Sequence, residues 1–376
     1  MREMSKVVRD AIASSGELSD RVVTPHKQSV TRVSNPGDVA LSRQEREEAE
    51  EELLAIGATR SRGAGNRARE EEPDELRTCF ERDLDRIKYS KPWRRLAGKC
   101  QVFVAPDDEH LRNRMTHAIE VAQVATSIAR AVGLNVALCE AIALGHDCGH
   151  GPGGHASEDA FEPYIDGGYD HAGWGADVVL ADMNLTLEVL DGIRQHSWRL
   201  AAPMTPEGEV VSLADRIAYV CHDADDAARA GIIIASNLPI EVIEFCGTKQ
   251  SSQIRSFIND AVRTIQETGQ VGLSPGMAAV LDTFRRFNYD KIYLRPASNQ
   301  QAERVIRMLR SLVEHYADKP GLIPDVSDGS REFPDAGSKQ ALFESVRYVS
   351  GMTDRFAISQ AVTLLRYPVD LLPSGV

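Results

Sequence analysis

The segment spanning residues 112–155 constrains the fold of this chain more than any other part of the sequence. Apolar residues recur with a helical period over residues 115–132, and a second apolar run covers residues 136–144. Residues 133–135 interrupt the pattern with a glycine and an asparagine. We therefore predict two successive helices joined by a short turn.

Polar side chains are placed where these two helices can bring them together. His117 falls in the first turn of the first helix, and the dipeptide His146-Asp147 ends the second. Neutral imidazoles and carboxylates bind divalent ions and leave positions open for water and substrate. A further carboxylate, Asp215, lies on a later helix. We predict that these four residues bind one divalent ion, which can be Mn, Mg, Fe, Co or Zn.

Glycines and a proline crowd residues 149–154, so the chain leaves the helix there in a tight loop. The loop carries His150 and His155, and Glu158 opens the following helix. Glu158 can pair with His150 or His171, and its position in a first helical turn also suits the helix dipole. We predict that His150 and Glu158 together transfer the proton in a hydrolytic reaction.

The helical segment over residues 210–231 presents a polar stripe. Asp215, Tyr219 and Asp223 follow one another at four-residue intervals, with Arg216 beside them. Charged groups on a helix face are unfavourable in an apolar core. The stripe therefore indicates that Arg216 contacts a phosphate while Tyr219 and Asp223 line a ligand pocket. Further along, Lys291 lies in a basic and aromatic segment and is predicted to contact either an anion or solvent.

Composition excludes some classes of function. A net charge of -13 argues against coating duplex nucleic acid, and binding of single-stranded nucleic acid is not indicated. No apolar run reaches the about 18 residues that a membrane span needs, and the N-terminus lacks a signal-peptide core, so a cytoplasmic location is predicted. The six cysteines form no CxxC pair, which is typical of reduced, buried thiols.

Three parts are predicted along the chain. Residues 1–74 are polar and form a partly mobile arm, residues 75–235 form the catalytic core, and residues 236–376 form a C-terminal helical part packed on it. Within the arm, residues 59–69 alternate arginine with glycine and small residues. This tract is either a solvated linker or a strap that folds over phosphates or a neighbouring subunit.

Several segments resemble one known family. They read RTCFERDLDRIKYSKPWRRLAGKCQVFV over residues 77–104, HLRNRMTHAIEVAQ over residues 110–123, and GMTDRFA over residues 351–357. In this order they are similar to the deoxynucleoside triphosphate triphosphohydrolases, the dGTPase family of the HD superfamily. The resemblance runs from about Glu52 to Leu365. It implies an all-α fold, in which an HD-domain helical bundle carries additional helices.

The resemblance also implies residue roles. Metal ligands are implied at His117, His146, Asp147 and Asp215. A catalytic and phosphate-contacting set is implied at Arg114, His150, His155, Glu158 and His171, and substrate contacts are implied at Gln101, Arg216, Tyr219 and Asp223, which with His155 and Lys291 make up the predicted substrate-binding residues. The implied reaction converts a dNTP to the deoxynucleoside and inorganic triphosphate. The implied assembly is a homo-oligomer, often a hexamer, in some members with a second nucleotide at an interface.

Two alternatives stay open. An HD phosphatase or phosphodiesterase acting on another nucleotide would use the same ligands but release orthophosphate or a monophosphate. A nucleotide-sensing module would keep the pocket without turnover. The full set of candidate ligands and acid-base groups favours an enzyme.

Overall fold

Helices make up the regular secondary structure of the residues that the computed structural model describes, which are 41–104, 106, 108, 110–324 and 334–373. Within these ranges there are fifteen α-helices and no β-sheet, which confirms the all-α prediction. The helices before the glycine-rich loop are α1 (Arg43–Leu53), α2 (Cys79–Tyr89), α3 (Lys91–Arg95), α4 (Arg114–Val132) and α5 (Val136–Gly145).

Ten helices follow the loop. They are α6 (Ala156–Phe161), α7 (His171–Trp174), α8 (Leu187–Arg194), α9 (Pro206–Arg229), α10 (Ile240–Cys246), α11 (Gln250–Thr268), α12 (Pro275–Asn288), α13 (Pro296–Asp318), α14 (Lys339–Ser350) and α15 (Asp354–Leu365). Among the described residues, none of the helices combines the length and the apolar character needed to cross a membrane.

Local sequence explains where the two helices of the first prediction begin and end. The side chain of Asn113 accepts a hydrogen bond from the Thr116 amide and caps α4. Gly133 ends that helix in the left-handed conformation, at φ 73°. Asn135 caps α5 through the Leu138 amide. Both predicted helices and the break between them are therefore confirmed.

Two apolar cores hold the helices together. In the first, α4 packs against α5 and α9 through buried side chains such as Ile128, Ile142 and Ile217. In the second, α13 packs against α6, α14 and α15, with Leu309 and Val346 in its interior. The six cysteines are free and buried, as predicted.

The segment preceding α2 contacts the body of the protein over residues 42–74. Thr59 donates two hydrogen bonds to the Glu207 carboxylate, and the buried Arg67 guanidinium pairs with Asp83 at 2.5 Å. Arg60 and Arg67 of the tract bond within the fold, whereas Arg62 and Arg69 are exposed, and a contact of the tract with phosphates or a neighbouring subunit stays a prediction. Residues 1–40 of the predicted arm lie outside the described residues, and the three-part division stays a prediction.

Candidate metal centre

Four side chains from α4, α9 and the end of α5 converge on one point. The Nε2 atoms of His117 and His146 lie 3.2 Å apart, and Asp215 Oδ1 lies 3.1 Å and 3.7 Å from them, respectively. Asp147 Oδ2 lies 3.6 Å from His117 Nε2, and Asp147 Oδ1 lies 3.3 Å from His146 Nε2. The four residues predicted as ligands are therefore brought together.

These side chains fit a divalent ion. The Nδ1 atom of His146 lies 2.7 Å from the Ala143 carbonyl oxygen, which can only accept, so that nitrogen carries the proton. In the neutral ring Nε2 then carries a lone pair, and it faces His117 and two carboxylates. A backbone partner of this kind commonly orients a ligating histidine. Two nitrogens and two carboxylates match the ligand preferences of Zn, Mn, Fe and Co.

Both carboxylates are held in their charged forms. Burial acts to raise the pKa of Asp147, yet the neighbouring His146 ring and the Arg114 guanidinium hold that pKa well below its usual value. The pKa of Asp215 is also lowered, because the hydrogen bond from His117 and the imidazole charges outweigh burial. Arg114 Nη1 donates to Asp147 Oδ2 at 2.9 Å, and its side chain is buried. Arg114 therefore positions a ligand of this site.

The proton-transfer candidates form a second group beside the ligands. Glu158 Oε1 lies 2.6 Å from His171 Nδ1 and 3.9 Å from His150 Nδ1, so its hydrogen bond is with His171. The rings of His150 and His171 stack at 3.7 Å. His150 Nε2 lies 3.3 Å from Asp147 Oδ1. Burial and the Arg114 guanidinium hold the pKa of His150 well below its ordinary value, so this imidazole is neutral at pH 7.

His155 also belongs to this second group. It offers a ligand atom within 4.8 Å of both His150 and Glu158, and it is exposed to solvent where they are not. This exposure leaves the His155 ring accessible to a substrate, and the contact predicted for it stays a prediction.

The remaining predicted substrate residues occupy different environments. Tyr219 is partly buried on α9, and Asp223 is buried one turn further along, where it accepts a hydrogen bond from Tyr293. Gln101 is buried, and its Oε1 atom has no hydrogen-bond partner among the described residues. Lys291 is exposed on the short π-helix Tyr289–Tyr293, and the contact predicted for it stays a prediction.

Arg216 lines a cavity of about 570 Å³, and none of the four converging residues lines that cavity. Its guanidinium carbon stacks over the Trp198 ring at 3.5 Å, and its Nε atom is buried without a hydrogen-bond partner among the described residues. Arg285 lines the same cavity. The Glu209 and Asp282 carboxylates line it as well, so the feature that suits an anion is the unused buried donor of Arg216 and not the overall charge of the cavity.

Two histidines near the ligands were not assigned a role from the sequence. His196 shares with His146 and Asp147 a set of ligand atoms within 4.8 Å of one another. His222 packs edge-on against the His117 ring, with centroids 5.0 Å apart, and its Nδ1 bonds Glu120 at 2.8 Å. The signal that could have found them is their clustering, because seven of the ten histidines lie between His117 and His222.

The C-terminal helices brace the glycine-rich loop. Asp354 accepts hydrogen bonds from the Gly153 amide at 2.9 Å and from the Cys100 amide at 3.0 Å. The buried Lys99 ammonium donates to the carbonyl oxygens of His150 and Ser350. The Asp354 carboxylate and the Lys99 ammonium therefore tie α14 and α15 to the loop that carries the histidines.

Replacing Asp354 by alanine is expected to destabilise the protein and to lower its activity. The Cys100 amide would stay buried without an acceptor, which costs about 1–3 kcal/mol, and the histidine loop would lose its anchor. Urea unfolding followed by circular dichroism measures the first effect. Asp370→Ala, at an exposed carboxylate in the same part of the chain, is the matched control. An Asp354→Ala variant as stable as this control would contradict the bracing role.

Comparisons with known proteins agree with this arrangement. The HD domain family matches residues 114–220, a range that includes all four converging ligands. The phosphohydrolase-associated domain family matches residues 271–362, a range that includes Asp354.

Relatives of similar length extend the comparison to most of the chain. A deoxyguanosinetriphosphate triphosphohydrolase-like protein from Caldanaerobacter subterraneus is 38% identical over 334 residues, which cover 87% of this chain and 95% of that protein. A protein of the same description from Desulfatibacillum aliphaticivorans is 35% identical, with 85% and 96% covered. A third, from Clostridium perfringens, is 38% identical, with 78% and 89% covered.

Proposed function

The chain belongs to the deoxyguanosinetriphosphate triphosphohydrolase-like family of HD phosphohydrolases, and we propose that it hydrolyses deoxynucleoside triphosphates to the deoxynucleoside and inorganic triphosphate. The observation that carries the proposal is the convergence of His117, His146, Asp147 and Asp215 on one point. The homo-oligomeric state and a second nucleotide at an interface stay predictions from the resemblance.

The four converging residues would hold the divalent ion. When bound, such an ion supplies Lewis acidity toward a phosphoryl oxygen and lowers the pKa of a coordinated water. Two features of the chain favour binding of the ion: both carboxylates are held charged, and a backbone carbonyl orients the His146 ring. Arg114 contributes by fixing Asp147, because its guanidinium is turned toward that carboxylate.

The proton in the reaction is transferred by the group around Glu158. His150 is buried, neutral and 3.3 Å from Asp147, so it can accept a proton next to the ligands. Glu158 lies among His150, His155 and His171, and its carboxylate stabilises whichever of these imidazoles becomes charged. The charged imidazole then donates its proton to the 5'-oxygen of the departing deoxynucleoside, because an alkoxide is a poor leaving group.

The triphosphate part of the substrate binds at Arg216. This residue directly follows Asp215 in sequence, and its buried Nε needs an acceptor that a phosphate oxygen can supply. Stacking on Trp198 fixes the guanidinium plane, which lowers the entropy lost on binding. Arg285 lines the same cavity as Arg216 and adds a second positive charge there.

Product analysis tests this function directly. The purified protein is incubated with each of the four dNTPs and Mn²⁺, and products are separated by reverse-phase and ion chromatography. We expect the deoxynucleoside and inorganic triphosphate in equal amounts, and no turnover after removal of the metal with a chelator. Orthophosphate or a nucleoside monophosphate would favour the phosphatase or phosphodiesterase alternative. Nucleotide binding without any product would favour the sensing module.

A further inference from the structure

The cavity that Arg216 lines is bounded by four segments of the chain. They are the connection between α8 and α9, the first half of α9, the residues just before α12, and α12 itself. Its walls are mostly apolar and include Leu200, Leu213, Leu273 and Leu281. Leu213 and Leu281 belong to the first apolar core, so these walls are part of the packed fold. A volume of about 570 Å³ suits a small organic molecule.

An unused hydrogen-bond donor marks one end of this cavity. Arg216 Nε is buried and has no acceptor among the described residues, which is unfavourable unless a ligand supplies one. The guanidinium lies over the Trp198 ring, and the Trp198 indole N–H donates to the Ser212 carbonyl oxygen at 3.0 Å. The plane of the guanidinium is therefore fixed before a ligand arrives. Arg285 lines the same cavity and favours an anion there.

Two carboxylates on the walls restrict where a ligand can carry negative charge. Glu209 lies seven residues before Arg216 on α9, which is about 10.5 Å along the helix axis. Asp282 is already paired with Arg286. A ligand with negative charge along its whole length would bring an anionic group close to Glu209. A ligand with one anionic group at the Arg216 end and an apolar remainder avoids this repulsion.

We propose that this cavity binds a small organic molecule that has an apolar body and a single anionic group, with the anionic group on Arg216. The site goes beyond the proposed function, whose metal ligands do not line the cavity. Its effect on activity rests on that function, because the ligand occupies the guanidinium that the triphosphate is proposed to contact. The bound molecule therefore competes with the dNTP and inhibits hydrolysis.

Two fluorescent probes with the same apolar body test the site. The first, 1-anilinonaphthalene-8-sulfonate, carries one sulfonate, and the second, N-phenyl-1-naphthylamine, lacks it. We expect the full-length wild type to bind the sulfonate probe at least about 10-fold more tightly than the neutral probe, the lower range for a hydrogen bond to a charged group. The Arg216→Gln variant should lose this preference, because its amide carries no charge.

Two adjacent alanines on α12 locate the bound probe. Both are exposed, but Ala278 lines the cavity whereas Ala279 does not. A tryptophan at residue 278 fills part of the cavity, so Ala278→Trp should weaken binding of the sulfonate probe by at least about 10-fold. Ala279→Trp, the matched control, should bind this probe as the wild type does.

Inhibition of the reaction is measured separately from binding. The sulfonate probe should raise the KM for the dNTP without changing kcat in the wild type, and it should not raise the KM in Ala278→Trp. An unchanged KM in the wild type with the probe bound would overturn the competition with the dNTP. Binding of the probe at this site by a protein that releases no triphosphate would support the cavity and contradict the dNTP activity.

Two binding results would overturn the site itself. One is equal affinity of the wild type for the sulfonate probe and the neutral probe. The other is equal affinity of Ala278→Trp and Ala279→Trp for the sulfonate probe. If Ala278→Trp does not fold, the comparison of the two probes in the wild type and in Arg216→Gln decides alone.

Discussion

Replacing Asp147 by asparagine is expected to lower kcat for dNTP hydrolysis by at least about 10³-fold, the upper range for removing one preorganised electrostatic group. Asp147 contacts His117, His146 and Arg114, so removing its charge changes all three contacts. An amide is a poor ligand in place of a carboxylate, and we expect the bound metal to fall together with kcat. Steady-state release of triphosphate and elemental analysis measure the two effects.

The asparagine variant keeps the fold because its amide oxygen still accepts from the buried Arg114 guanidinium. Near-ultraviolet circular dichroism checks this expectation. Asp166→Asn, at an exposed carboxylate outside the centre, is the matched control and should retain wild-type turnover and metal content. Wild-type triphosphate release by the Asp147→Asn protein would remove the basis of the proposed hydrolase, since no other carboxylate among the described residues contacts His117, His146 and Arg114.

Replacing Glu158 by glutamine is expected to lower kcat by about 10²–10⁴-fold, the contribution of a positioned acid-base group. The amide can still accept a hydrogen bond from His171 Nδ1, so the imidazole keeps its place and only the negative charge is lost. Burial raises the pKa of Glu158, and protonation at low pH removes the charge that the imidazoles need. The kcat/KM of the wild type should therefore decrease as the pH is lowered, and the Glu158→Gln variant should not show this decrease.

The pH profile separates a chemical role of Glu158 from a purely structural one. A structural role would lower activity at every pH without changing the shape of the profile. Glu162→Gln, an exposed neighbour in the chain, is the matched control and should keep both the rate and the profile. Unchanged kcat in Glu158→Gln would show that proton transfer does not depend on this carboxylate.

The sequence by itself was sufficient for the two helices α4 and α5 and for the grouping of the four residues predicted as metal ligands. Helical periodicity and the asparagine caps at residues 113 and 135 are local signals, so α4 and α5 could be predicted together with the loop that follows. The convergence of Asp215 with His117 was predicted from residue type, because a buried helix has little other use for such a carboxylate.

Only the tertiary structure decided which groups are paired. Glu158 bonds His171 in preference to His150, Arg114 is turned toward Asp147, and His196 joins the centre from the end of α8. These contacts depend on how helices distant in sequence cross, and helix crossing is set by the packing of apolar side chains over the whole core. Periodicity assigns each residue to a helix face, but a difference of about one ångström between two crossing helices selects the hydrogen-bond partner.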